Sequence, residues 1–252
     1  TRTVIEQAIA EGIEIIPVSG RAFATFPESI GQIKGISYAV TSNGAAIYNK
    51  KTGERIHGVA IEYADLHSIL DAFADYFHNG QITYEAFVDG VAYGGREYVE
   101  HPEAFGVPER NVAYVQSTRK PVDDIIAFLS EHEEELDSLD IVAADTALYQ
   151  KIEEQIPLVT KSVYTTSAVS YRLEISHKNS GKATGLAYVL KLLDITPEET
   201  VAFGDGDNDA EMLEFAGLGV AMENATENCK AAADIVCDCC KNDGVARFLY
   251  GF

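Results

Sequence analysis

The chain has 252 residues, a net charge of −21 at pH 7 and 46% hydrophobic residues, which is room for two modest domains or one large one around a real core. The acidity excludes nucleic acid and anionic membrane as partners, since both bind basic faces. No apolar run reaches the length of a membrane span, and the sequence opens without a signal-peptide pattern.

In chain order, Thr1 to Glu11 carries Val4, Ile5, Ala8 and Ile9 on one helical face, with Gly12 as its stop. Ile13 to Val18 reads as a largely buried strand, Ser19-Gly-Arg21 as a turn and Ala22 to Ile33 as a helix. Ser37 to Thr41 and Ala45 to Tyr48 read as strands on either side of Asn43-Gly44, and Asn49 to Gly53 as a hairpin-like turn. Helices alternating with short apolar strands signal an α/β fold with a parallel sheet. From about Ile61 the texture changes. Asp65 to His78 is helical, Gln81 to Tyr93 alternates like a half-exposed β segment, and Val122 to Leu136 is an acidic helix whose Glu131, Glu133, Glu134 and Glu135 face solvent. Asp140 to Ala144 and Ser170 to Ile175 read as strands around another helix, which makes residues 61–176 an α+β insert. Alternation resumes with a helix over Ala183 to Leu193, a strand over Thr200 to Gly204 and a helix over Ala210 to Ala216. A strand over Gly219 to Met222, a helix over Glu227 to Ala232, a strand stub at Ile235-Val236 and a last helix over Asp243 to Tyr250 complete the chain. The order is core (1–60), insert (61–176), core (177–252).

The most informative stretch is Val201-Ala-Phe-Gly-Asp-Gly-Asp-Asn-Asp-Ala-Glu-Met212, a strand that runs into aspartates at alternate positions 205, 207 and 209. Carboxylates this close disfavour joint ionisation unless a cation or buried partner compensates them. Oxygen-rich clusters suit hard cations, Mg²⁺ above all where waters and a phosphate complete the shell. The carboxyl end of a strand is where open α/β sheets place ligands. Two other readings stand beside this one. Asp, Gly and Asn also make ordinary turns. A calcium loop would need Gly and Glu where Ala210 and Ala216 stand.

Two further polar stations sit at element ends. Ser19 with Gly20 follows the Ile13–Val18 strand, and a hydroxyl with backbone N–H groups there makes an anion cradle or, more ordinarily, a helix N-cap. Lys182 opens a helix, where a cation opposes the helix dipole; a phosphate would supply the reason, and so would a plain surface lysine. Hydroxyl, ammonium and carboxylates together suffice to hold a phosphoryl group and neutralise its charge. Cys229, Cys237, Cys239 and Cys240 lack zinc spacing and fit a reducing cytoplasm.

Pro17-Val-Ser-Gly-Arg21, Ser42-Asn-Gly-Ala45, Glu174-Ile-Ser-His-Lys-Asn-Ser-Gly-Lys182, Gly204-Asp-Gly-Asp-Asn-Asp209 and Glu211-Met-Leu213 resemble, in this order, the motifs of haloacid-dehalogenase superfamily phosphatases of the Cof type. Gly219-Val-Ala-Met-Glu-Asn-Ala225, Ala233-Asp234 and Asn242-Asp-Gly-Val-Ala246 continue the likeness. The resemblance implies a Rossmann-like core with an inserted cap, and a Mg²⁺-dependent phosphatase of small phosphorylated metabolites such as sugar phosphates. It implies no nucleic acid, membrane or obligate protein partner. Ser19 resembles the residue that binds phosphoryl oxygens, Lys182 the charge-stabilising lysine, Asp205 the Mg²⁺ ligand with Asp209 in support, and Asn208 an orienter near the lysine. Gly20, Arg21 and Asn43 resemble residues around the phosphate.

The family's nucleophile stands in an Asp-x-Asp-Gly-Thr motif on the first core strand, and no such motif occurs in residues 1–252. The resemblance therefore implies a chain that lacks this strand and its nucleophile, truncated and without turnover as it stands. A phosphosugar mutase on the same fold and a non-catalytic phosphometabolite-binding protein are the alternatives.

Overall fold

A computed structural model describes residues 1–250. Twelve strands run through it in chain order: β1 (Tyr38–Thr41), β2 (Ala46–Asn49), β3 (Arg55–Gly58), β4 (Ile82–Val88), β5 (Val91–Gly95), β6 (Arg119–Val122), β7 (Leu136–Ala143), β8 (Val163–Val169), β9 (Arg172–His177), β10 (Val201–Gly204), β11 (Leu218–Met222) and β12 (Ile235–Cys237). Contacts divide the chain into two units of nearly equal internal density. One holds Thr1–Gly20, Phe26–His57 and Gly181–Phe252, and the other Arg21–Thr25 and Gly58–Ser180.

In the first unit β10, β11 and β12 form a parallel sheet, with Val201 opposite Leu218 and Val220 opposite Ile235. Its helix Lys182–Leu193 turns Leu186 and Leu190 onto Ala202, Met212, Leu213 and Ala221, so the apolar stripe of the helix closes one core cluster. Val189 of the same helix joins Val40 and Ile47 in a second cluster, under the β1–β2 hairpin. A single helix thus ties the hairpin to the parallel sheet.

The stretch expected as a buried strand at Ile13–Val18 is not one. Val18 makes one parallel bridge to Val40, flanked by hydrogen bonds from Val40 N to Pro17 O and from Ser19 N to Val40 O. Ile13 is 51% exposed. Pro17 has no N–H to offer a ladder, and among the described residues no strand pairs with the other edge of this segment. The helix expected over Ala22 to Ile33 is broken as well: a 3₁₀ turn at Phe23–Thr25 and a short helix at Glu28–Gly31 flank Pro27, whose ring cannot continue an α-helix.

The second unit is an α+β body with a six-stranded sheet in the order β6-β5-β4-β7-β9-β8, antiparallel except for β5 beside β6. Helices Tyr63–His78 and Thr146–Val159 bury Leu66, Ile69, Phe73, Ile152 and Ile156 against Ile82, Tyr84, Leu139, Ile141, Leu173 and Ile175. Alternate strand residues define that face, as the period of two requires. The opposite face carries Glu85, Asp140, Arg172 and Glu174, and β4 is buried along its whole length. The expected half-exposed alternation at Gln81 to Tyr93 therefore conceals a strand covered on both sides. The acidic helix is shorter than expected: it spans Ile125–Glu131 and stops before Glu133, Glu134 and Glu135, because carboxylates at a helix C-terminus oppose its dipole. Asp124 caps its start by accepting from Ile126 N and Ala127 N at 3.0 Å each. Among the described residues no helix is long and apolar enough to cross a membrane.

Candidate functional site

The site is built where β10 ends. Gly204 leads into the turn Asp205–Asp209, and a Cβ at Gly204 would stand 2.4 Å from Asp209 Cβ, so only glycine lets the chain fold back this tightly. Asp209 is 5% exposed. Its Oδ2 accepts from Asp205 N at 2.9 Å and from Gly206 N at 3.0 Å, closing the turn upon itself. Its Oδ1 accepts from Lys182 Nζ at 2.5 Å. Lys182 is itself 9% exposed and begins its helix after Gly181, whose φ of 145° suits glycine. The mildly unfavourable placement of a cation at a helix N-terminus thus has a local cause: a buried carboxylate stands in front of it.

The remaining acids of the turn are treated differently. Asp205 and Asp207 are exposed. Asn224 Nδ2 donates to Asp205 Oδ2 at 3.3 Å, and Thr226 Oγ1 donates to Asp207 Oδ1 at 2.5 Å. Thr226 also caps the helix Glu227–Ala231 by accepting from Cys229 N. Both side-chain partners are neutral, so the negative charge of the turn is left largely uncompensated. It is felt nearby: burial first, and then the charges of Asp209, Asp205 and Asp207, push the Cys229 thiol up to about 11. That thiol is inert at neutral pH.

The other sequence-selected residues take up distinct positions. Ser19 is held by its backbone, donating from N to Val40 O and accepting at O from Asn43 N at 3.1 Å. No α-helix starts there, so the N-cap reading of Ser19 lapses. Asn43 sits in a left-handed bend and accepts at Oδ1 from Asn208 Nδ2 at 3.1 Å. Gly20 is the last residue of its stretch of the first unit. Arg21 belongs to the second unit, with its guanidinium 4.6 Å above the Tyr114 ring. The excursion Arg21–Thr25 is held there because Ala22 is buried with Phe87 and Ala92 and Ala24 N donates to Gly90 O. The structure thus draws Ser19, Asn43, Lys182, Asp205, Asn208 and Asp209 into one connected set in the first unit.

A cation suits this chemistry in one particular way. Asp209 is committed on both oxygens, whereas Asp205 keeps an exposed carboxylate with a single neutral partner. Among the described residues no group of three or more His, Cys, Asp or Glu side chains could hold a metal by itself. Mg²⁺ does not need one, since it retains waters and takes one or two carboxylates beside a phosphate. Asp205 could hold such an ion by its exposed carboxylate, while Asp209 holds the turn and the lysine.

Asn224 and Thr226 were not anticipated as site residues. Both lie in the turn after β11, at the same sheet end as the acidic turn; Asn224 stands inside the family-like stretch 219–225, and for Thr226 a βα loop beside a candidate site is the signal.

A parallel sheet flanked by helices, with carboxylates and a lysine gathered at the carboxyl end of β10, defines an α/β protein whose candidate site lies where open α/β sheets place ligands. The chain belongs to the haloacid dehalogenase-like hydrolase family, whose model it matches over residues 1–249. It is 30% identical over 269 aligned positions to the phosphatase YwpJ of Bacillus subtilis, covering 97% of this chain and 90% of the relative. Its fold is shared by a haloacid dehalogenase-like hydrolase of B. subtilis (TM-score 0.80, 24% identity, 98% of this chain and 90% of the other). It is shared too by the subclass IIB sugar phosphatase BT4131 (TM-score 0.77, 21% identity, 99% and 89%).

Proposed function

We propose that the site serves Mg²⁺-dependent hydrolysis of phosphomonoesters of small metabolites such as sugar phosphates, by way of an aspartyl-phosphate. The observation that carries this reading is the buried Lys182 Nζ–Asp209 Oδ1 contact of 2.5 Å beside the exposed carboxylate of Asp205. An ammonium held against the turn that carries Asp205 supports this reading, because transfer of a multiply charged phosphoryl group needs positive charge positioned around it. The names of a phosphatase relative and of a sugar phosphatase with the same fold support it.

In this reading Ser19 donates its hydroxyl to a phosphoryl oxygen, with backbone N–H groups around Gly20 beside it. Lys182 stabilises charge on the phosphoryl oxygens, and Asp209 keeps its ammonium aimed. Asp205 would hold Mg²⁺, which when bound neutralises phosphoryl charge and orients the group. The insert selects among substrates. No residue of this sequence is assigned as nucleophile, because no Asp-x-Asp-Gly occurs in it. We expect residues 1–252 to bind such an ester without turning it over, and their free cysteines support a reducing compartment.

Calorimetric titration of this chain with inorganic phosphate and with a hexose monophosphate, each with Mg²⁺, is the test. Stoichiometric binding that Lys182→Met weakens is expected, and no binding of either sinks the reading. Steady release of phosphate from the ester by residues 1–252 would overturn the expectation of binding without turnover.

A further inference from the structure

The bend between β1 and β2 costs more than a hairpin needs. Ser42, Asn43 and Gly44 have φ of 49°, 51° and 90°, three successive left-handed residues of which two carry a Cβ. Asn tolerates this region better than most residues, and Ser does not. All three are buried, and Ser42 Oγ has no hydrogen-bond partner. Strain of this kind persists only where surrounding contacts over-determine it.

Those contacts reach all three stations of the proposed site. Asn43 N donates to Ser19 O at 3.1 Å. Asn43 Oδ1 accepts from Asn208 Nδ2 at 3.1 Å, across 165 residues of sequence, and Asn208 lies inside the acidic turn. Gly44 is pressed so closely on Gly181 that a Cβ would stand 2.0 Å from Gly181 O, and Gly181 is the residue before Lys182. One helical turn on, a Cβ at Gly185 would stand 3.0 Å from Gly44 Cα. Asn208 is committed at its amide nitrogen, and its Oδ1 lies over Gly206, where a Cβ would be 2.8 Å away.

We propose that Asn43 is a positioning residue and not a phosphate ligand. Together with Gly44 it forms a strained spacer that fixes Ser19, Lys182 and the Asp205–Asp209 turn relative to one another, with the Asn43–Asn208 amide pair as its adjustable end. The bend sets geometry before any ligand arrives, which is how preorganised sites gain their advantage. The inference rests on the phosphate reading only for its affinity measurement.

Glycine at position 43 separates the two possible roles. Asn43→Gly relieves the left-handed φ and removes the acceptor, Asn43→Ala removes the acceptor and adds strain, and Asn43→Asp keeps both an acceptor and tolerance of the bend. Three readouts are taken on residues 1–252: the Asn208 side-chain amide signals by NMR, affinity for inorganic phosphate with Mg²⁺, and the thermal midpoint. For Asn43→Gly we expect the Asn208 signals to move to free-amide positions and phosphate affinity to fall about threefold to tenfold, the worth of one neutral hydrogen bond. Its thermal midpoint should hold or rise. Asn43→Ala should lose the same affinity and also melt earlier, and Asn43→Asp should keep the Asn208 signals hydrogen-bonded.

Asn43→Gly with unshifted Asn208 signals overturns the proposal, as does Asn43→Gly with wild-type affinity. If the wild-type chain binds no phosphate, the proposed function falls and the Asn208 signals alone decide the positioning role.

Discussion

Each unit buries charge, and each does so to a different end. In the insert, Arg119 grips Glu85 with Nε at 3.0 Å from Oε1 and Nη2 at 2.7 Å from Oε2, while Tyr98 OH donates to Oε1 at 2.5 Å. Arg172 adds contacts to Glu85, Asp140 and Glu174 between 2.9 and 3.6 Å. Its charges answer one another. In the first unit the buried pair is Lys182 with Asp209, and it stands beside two exposed carboxylates whose partners carry no charge. Burial of charge does not by itself mark a site; charge left unanswered at a fixed position does.

The sharpest way to break this contrast is Glu85→Ala. Removing one member of a buried ion pair leaves uncompensated guanidinium charge and costs about 3–5 kcal/mol. Burial pushes the Glu85 carboxyl up, yet the charges of Arg119 and Arg172 outweigh it and hold it below the usual range. The pairing is therefore present above the ordinary carboxylate range and is lost only as pH falls through the lowered value. Urea unfolding followed by circular dichroism should show the loss at neutral pH, and molecules that remain folded should keep phosphate affinity. A variant as stable as wild type would show that the network is ornamental.

Asp205→Asn tests the other side of the contrast. Asp205 is exposed and has one neutral partner, so stability should change by less than about 0.5 kcal/mol. Mg²⁺-assisted phosphate affinity should fall about tenfold or more, equivalent to about 1.4 kcal/mol or above. Calorimetry with and without Mg²⁺ checks it, and an unchanged Mg²⁺ effect would remove Asp205 from the cation's shell.

The two networks also differ in how far they can be read from sequence. The acidic turn is local: its three aspartates lie within five residues, so their repulsion and their fitness for a cation are written side by side. Lys182 could be singled out because a lysine at a helix start needs a reason, but its partner Asp209 lies 27 residues away. Glu85 alternates with apolar neighbours and reads as solvent-facing. What buries it, Arg119 and Arg172, arrives on β6 and β9, and no period within β4 announces either. Asn43 is intermediate, since Asn-Gly signals a left-handed bend while its tie to Asn208 spans 165 residues. Local chemistry is legible in a sequence, and the charge balance between distant strands is not.

A matched pair of caps refines the contrast at lower cost. Asp145 caps the insert helix Thr146–Val159 by accepting from Ala147 N at 2.7 Å and Leu148 N at 3.2 Å. Thr226 caps Glu227–Ala231 and also holds Asp207. Asp145→Ala and Thr226→Ala should each lose about 1 kcal/mol in urea unfolding, the typical worth of an N-cap. Only Thr226→Ala should also alter Mg²⁺ affinity, because it frees Asp207 beside Asp205. Equal binding by both variants would confine Thr226 to its cap.

The smallest effect lies inside the insert's own ledger of charge. Glu85, Asp140 and Glu174 face one another in register across β4, β7 and β9, three carboxylates in a row against two guanidiniums. Like charges directly opposite on neighbouring strands are destabilising, so the row is eased when one of them stays protonated. Asp140 is that one: burial first, then the charges of Glu174 and Glu85, against the pull of Arg172, hold its carboxyl well above the ordinary range. The folded chain therefore keeps a proton that the unfolded chain releases. The stability this contributes is complete below the ordinary aspartate range and drains away as pH rises through the raised value. Asp140→Asn fixes the neutral form at nearly the same size, and Ser138 Oγ, now 3.2 Å from Asp140 Oδ1, can donate to the new amide oxygen. Urea midpoints from about pH 5 to 8 should fall with pH in the wild type and stay flatter in Asp140→Asn, with the variant equal or up to about 1 kcal/mol more stable at the alkaline end. The opposite order, a wild type that does not weaken as pH rises and exceeds the variant at the alkaline end, would mean that Asp140 is ionised in the folded chain and that Arg172 answers all three carboxylates.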